Sequence, residues 1–300
     1  MNENISNFIK GLAMGAANVI PGVSGGTVAL VTGIYERLIN ALKSCDFNAL
    51  KLLFTGNFKG AWQHVDGGFL TAILGGVAVS IVSLAKVLEY LLGNFEVLTM
   101  AFFFGLIAVS VVSVGRTIKQ WGGSAVLALV LGTISAISVA MLAPAGENAN
   151  AGYLFICGVV AICSMILPGL SGSFVLIIMG NYALVLGAIG RFDMAILLPM
   201  ALGCGLGLLA FAHLLGWVYA KYHDQTVALM TGFILGSLAI VWPWKHTLTE
   251  VVAREGKADK VITTGYEWFS PALSDSSTLM ALGLMVVGGL VIWGMEKVSE

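Results

Sequence analysis

Apolar residues fall in long blocks separated by short polar breaks. A bilayer core of about 30 Å takes roughly 20 apolar residues of helix. That ruler predicts spans at about 69–92, 97–115, 125–144, 195–220, 226–243 and 278–295. Two further blocks, at about 8–42 and about 152–190, are interrupted by Pro21-Gly22-Val23-Ser24-Gly25-Gly26 and Pro168-Gly169-Leu170-Ser171-Gly172-Ser173. Lys43 to Gln63 reads as a polar linker, and His246 to Asp275 as the one long hydrophilic loop.

Composition sets the solvent. Hydrophobic side chains make up 58% of the 300 residues and charged ones only 10%, with a mean hydropathy of +0.94, whereas a soluble domain carries about 25% charged residues. The fold class expected is an all-α polytopic membrane protein. Fifteen Lys plus Arg against 16 Asp plus Glu leave a net charge of -1, which excludes a nucleic-acid binder. The 38 glycines suit closely packed membrane helices. Cys45, Cys157, Cys163 and Cys204 are scattered and read as small buried hydrophobes. His64, His213, His223 and His246 show no metal-ligand spacing, so no metal or cofactor is expected.

The chain repeats itself. A shift of 147 positions lays Pro21-Gly22-Val23-Ser24-Gly25 on Pro168-Gly169-Leu170-Ser171-Gly172, Gly33 on Gly180 and Tyr35 on Tyr182. A shift of 127 lays Asp66 on Asp193, Gly76 on Gly203, Lys86 on His213, Gly105 on Gly232 and Ser110 on Ser237. The 20-residue difference is an insertion in the first copy, and the match between the fourth segments of the two copies is weak. The units are 1–147 and 148–300. Lys10 before an apolar stretch with Ala16 and Ala17 imitates a signal peptide, but its counterpart in the second half makes it part of the fold.

Positive charge orients the copies, because Lys and Arg concentrate on the cytoplasmic side. If each broken block is a re-entrant hairpin, every unit has three crossings and the two are inverted. Lys10, Arg37, Lys43, Lys51, Lys59, Arg116, Lys119, Lys221 and Lys297 then lie inside, while 93–96 and 145–151 lie outside without Lys or Arg. Arg191 and the loop with Lys245, Arg254, Lys257 and Lys260 are exceptions.

The breaks carry the candidate chemistry. Proline removes a donor and glycine admits unusual dihedrals, and such backbone is tolerated at membrane depth only under protein or beside a cavity. N–H groups around Ser24, Gly25, Gly26 and Thr27 and around Ser171, Gly172 and Ser173 would form an anion site at a half-helix start, as in inverted-repeat transporters. Arg37, Lys86, Arg191 and His213 are the candidate charge partners. Snorkelling explains Lys86 equally well, and a satisfied core position His213. Asp66 and Asp193 also suit N-caps of the helices they precede.

The first break, followed by Gly33-Ile34-Tyr35-Glu36-Arg37-Leu38, and the second at Pro168-Gly169-Leu170-Ser171-Gly172 resemble the bacterial polyprenyl-phosphate transporter family PopT, formerly domain of unknown function 368. The likeness spans essentially the whole chain, and the second motif departs at Ser173 and Phe174, where the first has Gly26 and Thr27. The resemblance implies a flippase of the bacterial cytoplasmic (inner) membrane, returning undecaprenyl phosphate to the inner leaflet for envelope biogenesis. Its lipid phosphate would sit between the hairpins, with its tail in a groove open to the bilayer. A coupling proton or sodium ion would have Glu36, Asp66, Glu89 or Asp193 as carriers. The partners expected are the lipid phosphate, the bilayer, the coupling ion and, in a homo-oligomer, further copies of the chain.

Two other readings compete: a secondary transporter of a small soluble anion, and an intramembrane serine protease using Ser24 or Ser171 with His213. Against the protease, Lys86 stands where the first copy would need its histidine. Single cysteines placed at Asn148 and Lys119 are expected to react from opposite membrane faces with an impermeant thiol reagent; reaction from one face would remove the inverted arrangement.

Overall fold

The computed structural model describes residues 3–19, 24–142, 144–254, 257–272 and 275–299, without the side chains of 19, 85, 89, 247, 249–254, 257–265, 298 and 299. The chain begins with α1 (Glu3–Val19), α2 (Gly25–Val31) and α3 (Tyr35–Lys43), followed by α4 (Phe47–Phe54) and α5 (Phe58–His64). Then come α6 (Gly67–Asn94), α7 (Glu96–Gly115) and α8 (Gly123–Ala140). The second half holds α9 (Ala151–Ile166), α10 (Gly172–Ile178), α11 (Tyr182–Arg191), α12 (Met194–Lys221) and α13 (His223–Val241). Strands β1 (Lys245–Arg254) and β2 (Lys257–Trp268) precede α14 (Ser276–Ser299). Among the described residues, six helices (α6, α7, α8, α12, α13 and α14) are long and apolar enough to cross a membrane. This is a multi-pass membrane protein, and the six spans follow the expected boundaries within a few residues.

Three features add to the expected fold. Downstream of each Pro-Gly motif a glycine turns the chain again: Gly33 and Gly180 adopt φ of +70° and +76° ahead of α3 and α11, a conformation open to glycine. The axes of α10 and α11 differ by 112°. The linker after Lys43 is helical, because Asp46 accepts from the Ala49 N–H (3.0 Å) to cap α4 and Asn57 from the Gly60 N–H (2.9 Å) to cap α5. The fold is all-α apart from one strand pair in the hydrophilic loop: β1 and β2 pair antiparallel with Lys245 opposite Trp268, since β-branched and aromatic residues there favour extended chain.

Packing follows small residues, since lipid offers no hydrophobic drive for helices to associate. Helix α1 lies on α6 and α9 on α12; α7 lies on α14 and α8 on α13, with α7 meeting α13 between them. Ile107, Val114, Val227, Met230 and Ile234 are buried at that centre. The closest approaches recur between the halves. The backbone at Gly11 meets the Ile73 carbonyl and that at Gly158 the Met200 carbonyl; Gly132 meets the Leu229 carbonyl and Gly288 the Phe102 carbonyl. Gly132 of α8 and Gly288 of α14 thus make the same kind of close approach to α13 and α7.

At these positions even a Cβ would strike backbone, which cannot swing away. Gly158→Val and Gly132→Val should each cost about 1–3 kcal/mol or more through overpacking, read as a lower melting temperature in detergent. Gly283→Ala, facing open space in α14, should leave stability unchanged or raise it.

Candidate functional site: two interlocked helix breaks

The end of α9 shows why the broken segments meet. Pro168 cannot donate, so α9 stops at Ile166 and its last carbonyls need partners from elsewhere. The first half provides them. Tyr35 Oη donates to the Ile166 carbonyl (3.1 Å) and Ser24 Oγ to the Leu167 carbonyl (3.2 Å), while the Gly169 N–H donates to Thr27 Oγ1 (3.1 Å). Gly169 itself takes φ of +80° and packs on the Phe233–Ile234 backbone of α13.

Ser24 also accepts from the Gly26 N–H (3.2 Å) and caps α2, and the Gly25 N–H donates to Asn18 Oδ1 (2.7 Å). Ser24 and Thr27 are 1% and 2% exposed. Pro21, Gly22 and Val23 of the first motif lie outside the described residues.

The second break is built differently. Ser171 precedes α10 without a capping side-chain bond, and its hydroxyl pairs with Ser173 Oγ at 2.9 Å. Both serines and Gly172 line a cavity of about 290 Å³, with Asn18 from α1, Tyr182 from α11 and Met200 from α12 among the other walls. The lining is mostly apolar, and its polar groups are neutral hydroxyls, an amide and the Cys204 thiol.

The expected charge partners stand elsewhere. Arg37 donates to Asp66 through Nε (2.6 Å) and Nη2 (3.2 Å), forms an ion pair with Glu3, and lies 4.5 Å over the Phe69 ring. The Arg37 guanidinium holds the Asp66 carboxyl below the usual carboxylate range. Asp66 makes no N-cap bond to α6 and is left-handed at φ 50°, whereas Asp193 caps α12 by accepting from the Ala195 N–H (3.1 Å). Glu36, Lys86, Arg191 and His213 are exposed. His213 is therefore not a core histidine, and its Nδ1 meets the Leu209 carbonyl at 2.8 Å. The Glu89 side chain lies outside the described residues. The structure thus ties Ser24 and Thr27 to Leu167 and Gly169 of the second break, sets Ser171, Gly172 and Ser173 along a cavity that the 24–27 segment does not line, pairs Arg37 with Asp66, and leaves Lys86, Arg191 and His213 exposed. Among the described residues Ser24 and Ser171 pair with no histidine: Ser24 bonds to Leu167 and Gly26, and Ser171 to Ser173.

The family model for VCA0040-like, undecaprenyl phosphate translocase-like proteins matches residues 14–259. The chain belongs to this family. A polyprenyl-phosphate transporter of Vibrio cholerae serotype O1 is 40% identical over 299 residues, covering 99% of this chain and 97% of that protein. A polyprenyl-phosphate transporter of Staphylococcus aureus is 31% identical over 256 residues, covering 79% of this chain and 86% of that protein. No solved structure matches the chain.

Sequence reasoning missed four contributors in this translocase-like protein. Tyr35 and Tyr182 were visible as a repeated pair, yet only the fold shows one holding the break and the other lining the cavity. Asn18 has no matching residue in the second half, where Met165 stands. Lys10 donates from inside the first hairpin to the Thr32 carbonyl at the end of α2 (3.0 Å); an ionisable residue in an apolar helix was the signal.

Thr27→Val keeps the shape but leaves the buried Gly169 N–H without an acceptor, an expected loss of about 1–3 kcal/mol. Thr27→Ser should retain most of it. Thermal unfolding of the two variants in the same detergent checks the difference.

Proposed function

We propose that this chain is a flippase that carries polyprenyl phosphate, in the form of undecaprenyl phosphate, from the outer to the inner leaflet of the bacterial cytoplasmic membrane. The observation that carries the reading is a mostly apolar cavity with a few hydroxyls beside two interlocked helix breaks, in a chain aligned almost end to end with a polyprenyl-phosphate transporter. The phosphate head enters the cavity at Ser171, Ser173, Asn18 and Tyr182. Ser24 and Thr27 hold the opposite break in place. An isoprenoid tail needs an apolar bed, and a cavity of about 650 Å³ with almost wholly apolar walls lies among α1, α2, α6, α7 and α14. Arg191 ends α11, the helix that forms one cavity wall, but is exposed and outside the cavity lining, so the head group is held by neutral donors. The protein acts as a carrier and not as an enzyme.

In this reading residues 1–147 and 148–300 are inverted repeats, each a twice-bent re-entrant hairpin followed by three spans. The recurring glycine approaches and the loops 93–96 and 145–151 without Lys or Arg support it. Glu36 and Glu89 are the acidic candidates for a coupling proton or sodium ion, with Asp66 and Asp193 engaged in structural bonds. Family membership favours a lipid phosphate over a small soluble anion.

Native mass spectrometry of the purified protein should find bound polyprenyl phosphate. Since a hydrogen bond to a charged group is worth about 1.5–3 kcal/mol, Ser171→Ala with Ser173→Ala should slow transport in proteoliposomes about tenfold or more while the melting temperature holds. Ser24→Leu should instead impair folding. Unchanged transport in the double alanine variant would overturn the placement of the head group.

A further inference from the structure

The insertion that breaks the repeat has helical stripes turned the wrong way for a soluble protein. Phe47, Leu50 and Phe54 recur at helical spacing along α4, and Phe58 and Trp62 along α5, yet all five face outward. Phe54 is 89% exposed and Phe47 79%, whereas the buried residues of the pair are the small Ala49 and Ala61. The arrangement is held locally: Gly56 turns the chain at φ +75°, and His64 Nε2 meets Asp46 Oδ1 at 3.1 Å across the two helices.

We infer that α4 and α5 form a foot that lies in the head-group layer of one leaflet and binds anionic phospholipid there. Two observations choose lipid as the occupant. The foot is continuous with the membrane-spanning part, since the Trp62 ring lies against Gly67, the first residue of α6. Its charge is also one-sided: Lys43, Lys51 and Lys59 stand against Asp46 alone between residues 43 and 65, and that aspartate is occupied by the Ala49 N–H and His64. Outward aromatic residues with flanking lysines are the pattern of a helix resting in a membrane interface. A second copy meeting this face about a two-fold axis would set lysines against lysines. The second half has only Phe192 and Asp193 between α11 and α12, so the foot marks one side of the membrane and anchors the first hairpin there.

Spin labels test this in full-length protein with its four native cysteines replaced, in nanodiscs with or without phosphatidylglycerol. Labels at Phe47→Cys, Phe54→Cys and Phe58→Cys should collide with oxygen at least about twofold more, relative to a water-soluble nickel chelate, than labels at Asn48→Cys and Gln63→Cys. Equal access of the nickel chelate to all five positions would overturn the foot. Dipolar broadening between two chains at the protected positions would replace lipid with a second copy. Removing phosphatidylglycerol should raise nickel access, and Lys51→Gln with Lys59→Gln should abolish that dependence; protection unaffected by lipid charge would overturn the anionic preference.

Discussion

A helix interrupted at membrane depth leaves carbonyls and amides that lipid cannot satisfy. In this protein the break in the second half is satisfied by the first: Tyr35 and Ser24 donate to Ile166 and Leu167, and Thr27 accepts from Gly169. These bonds are buried, where an unmade partner is costly. They join the two breaks into one central unit, which Gly169 seats on α13. The remaining helices pack outward from it, each half laying its first helix on its own long span and exchanging the other pairs.

The two halves solve the same backbone problem with different side chains. The end of α2 is met by the Lys10 ammonium at the Thr32 carbonyl, and the matching end of α10 by the Tyr153 hydroxyl at the Met179 carbonyl, both at 3.0 Å. In the first break the serine hydroxyl reaches across to the other half; in the second it pairs with Ser173 and borders a cavity. Asn181, in the turn before α11, exchanges two hydrogen bonds with the backbone of Asn148 and ties the central loop to the second hairpin. Matching positions of the two breaks thus make different hydrogen bonds.

Scarce charge is placed with similar economy. Arg37 closes the ends of α1, α3 and α6 by pairing with Glu3 and Asp66. Asp224 accepts from the Lys119 and Gln120 N–H groups (3.1 Å each) and fastens the turn before α8 to the start of α13. Such groups sit where the spans meet water, so the membrane interior keeps few ions to desolvate.

Sequence alone determined the solvent, the six spans, the two broken segments and their repetition, because bilayer thickness and the need to satisfy backbone groups act directly on runs of residues. It also named Ser24, Thr27, Ser171 and Ser173, since proline, glycine and serine at a break have few other uses there. Only tertiary structure decided which hydroxyl serves which half, for the bond from Ser24 to Leu167 joins residues far apart in the chain. The second bend at Gly33 and Gly180 was carried by glycine φ, which a pattern of apolar residues does not encode. Arg37 and Asp66 were candidates for separate roles until the fold placed them together. The linker read as polar became a helical pair with outward aromatic residues, because composition does not say which way a stripe faces. Hydropathy constrains each segment independently, whereas partners, bends and facing directions arise only when segments compete for the same space.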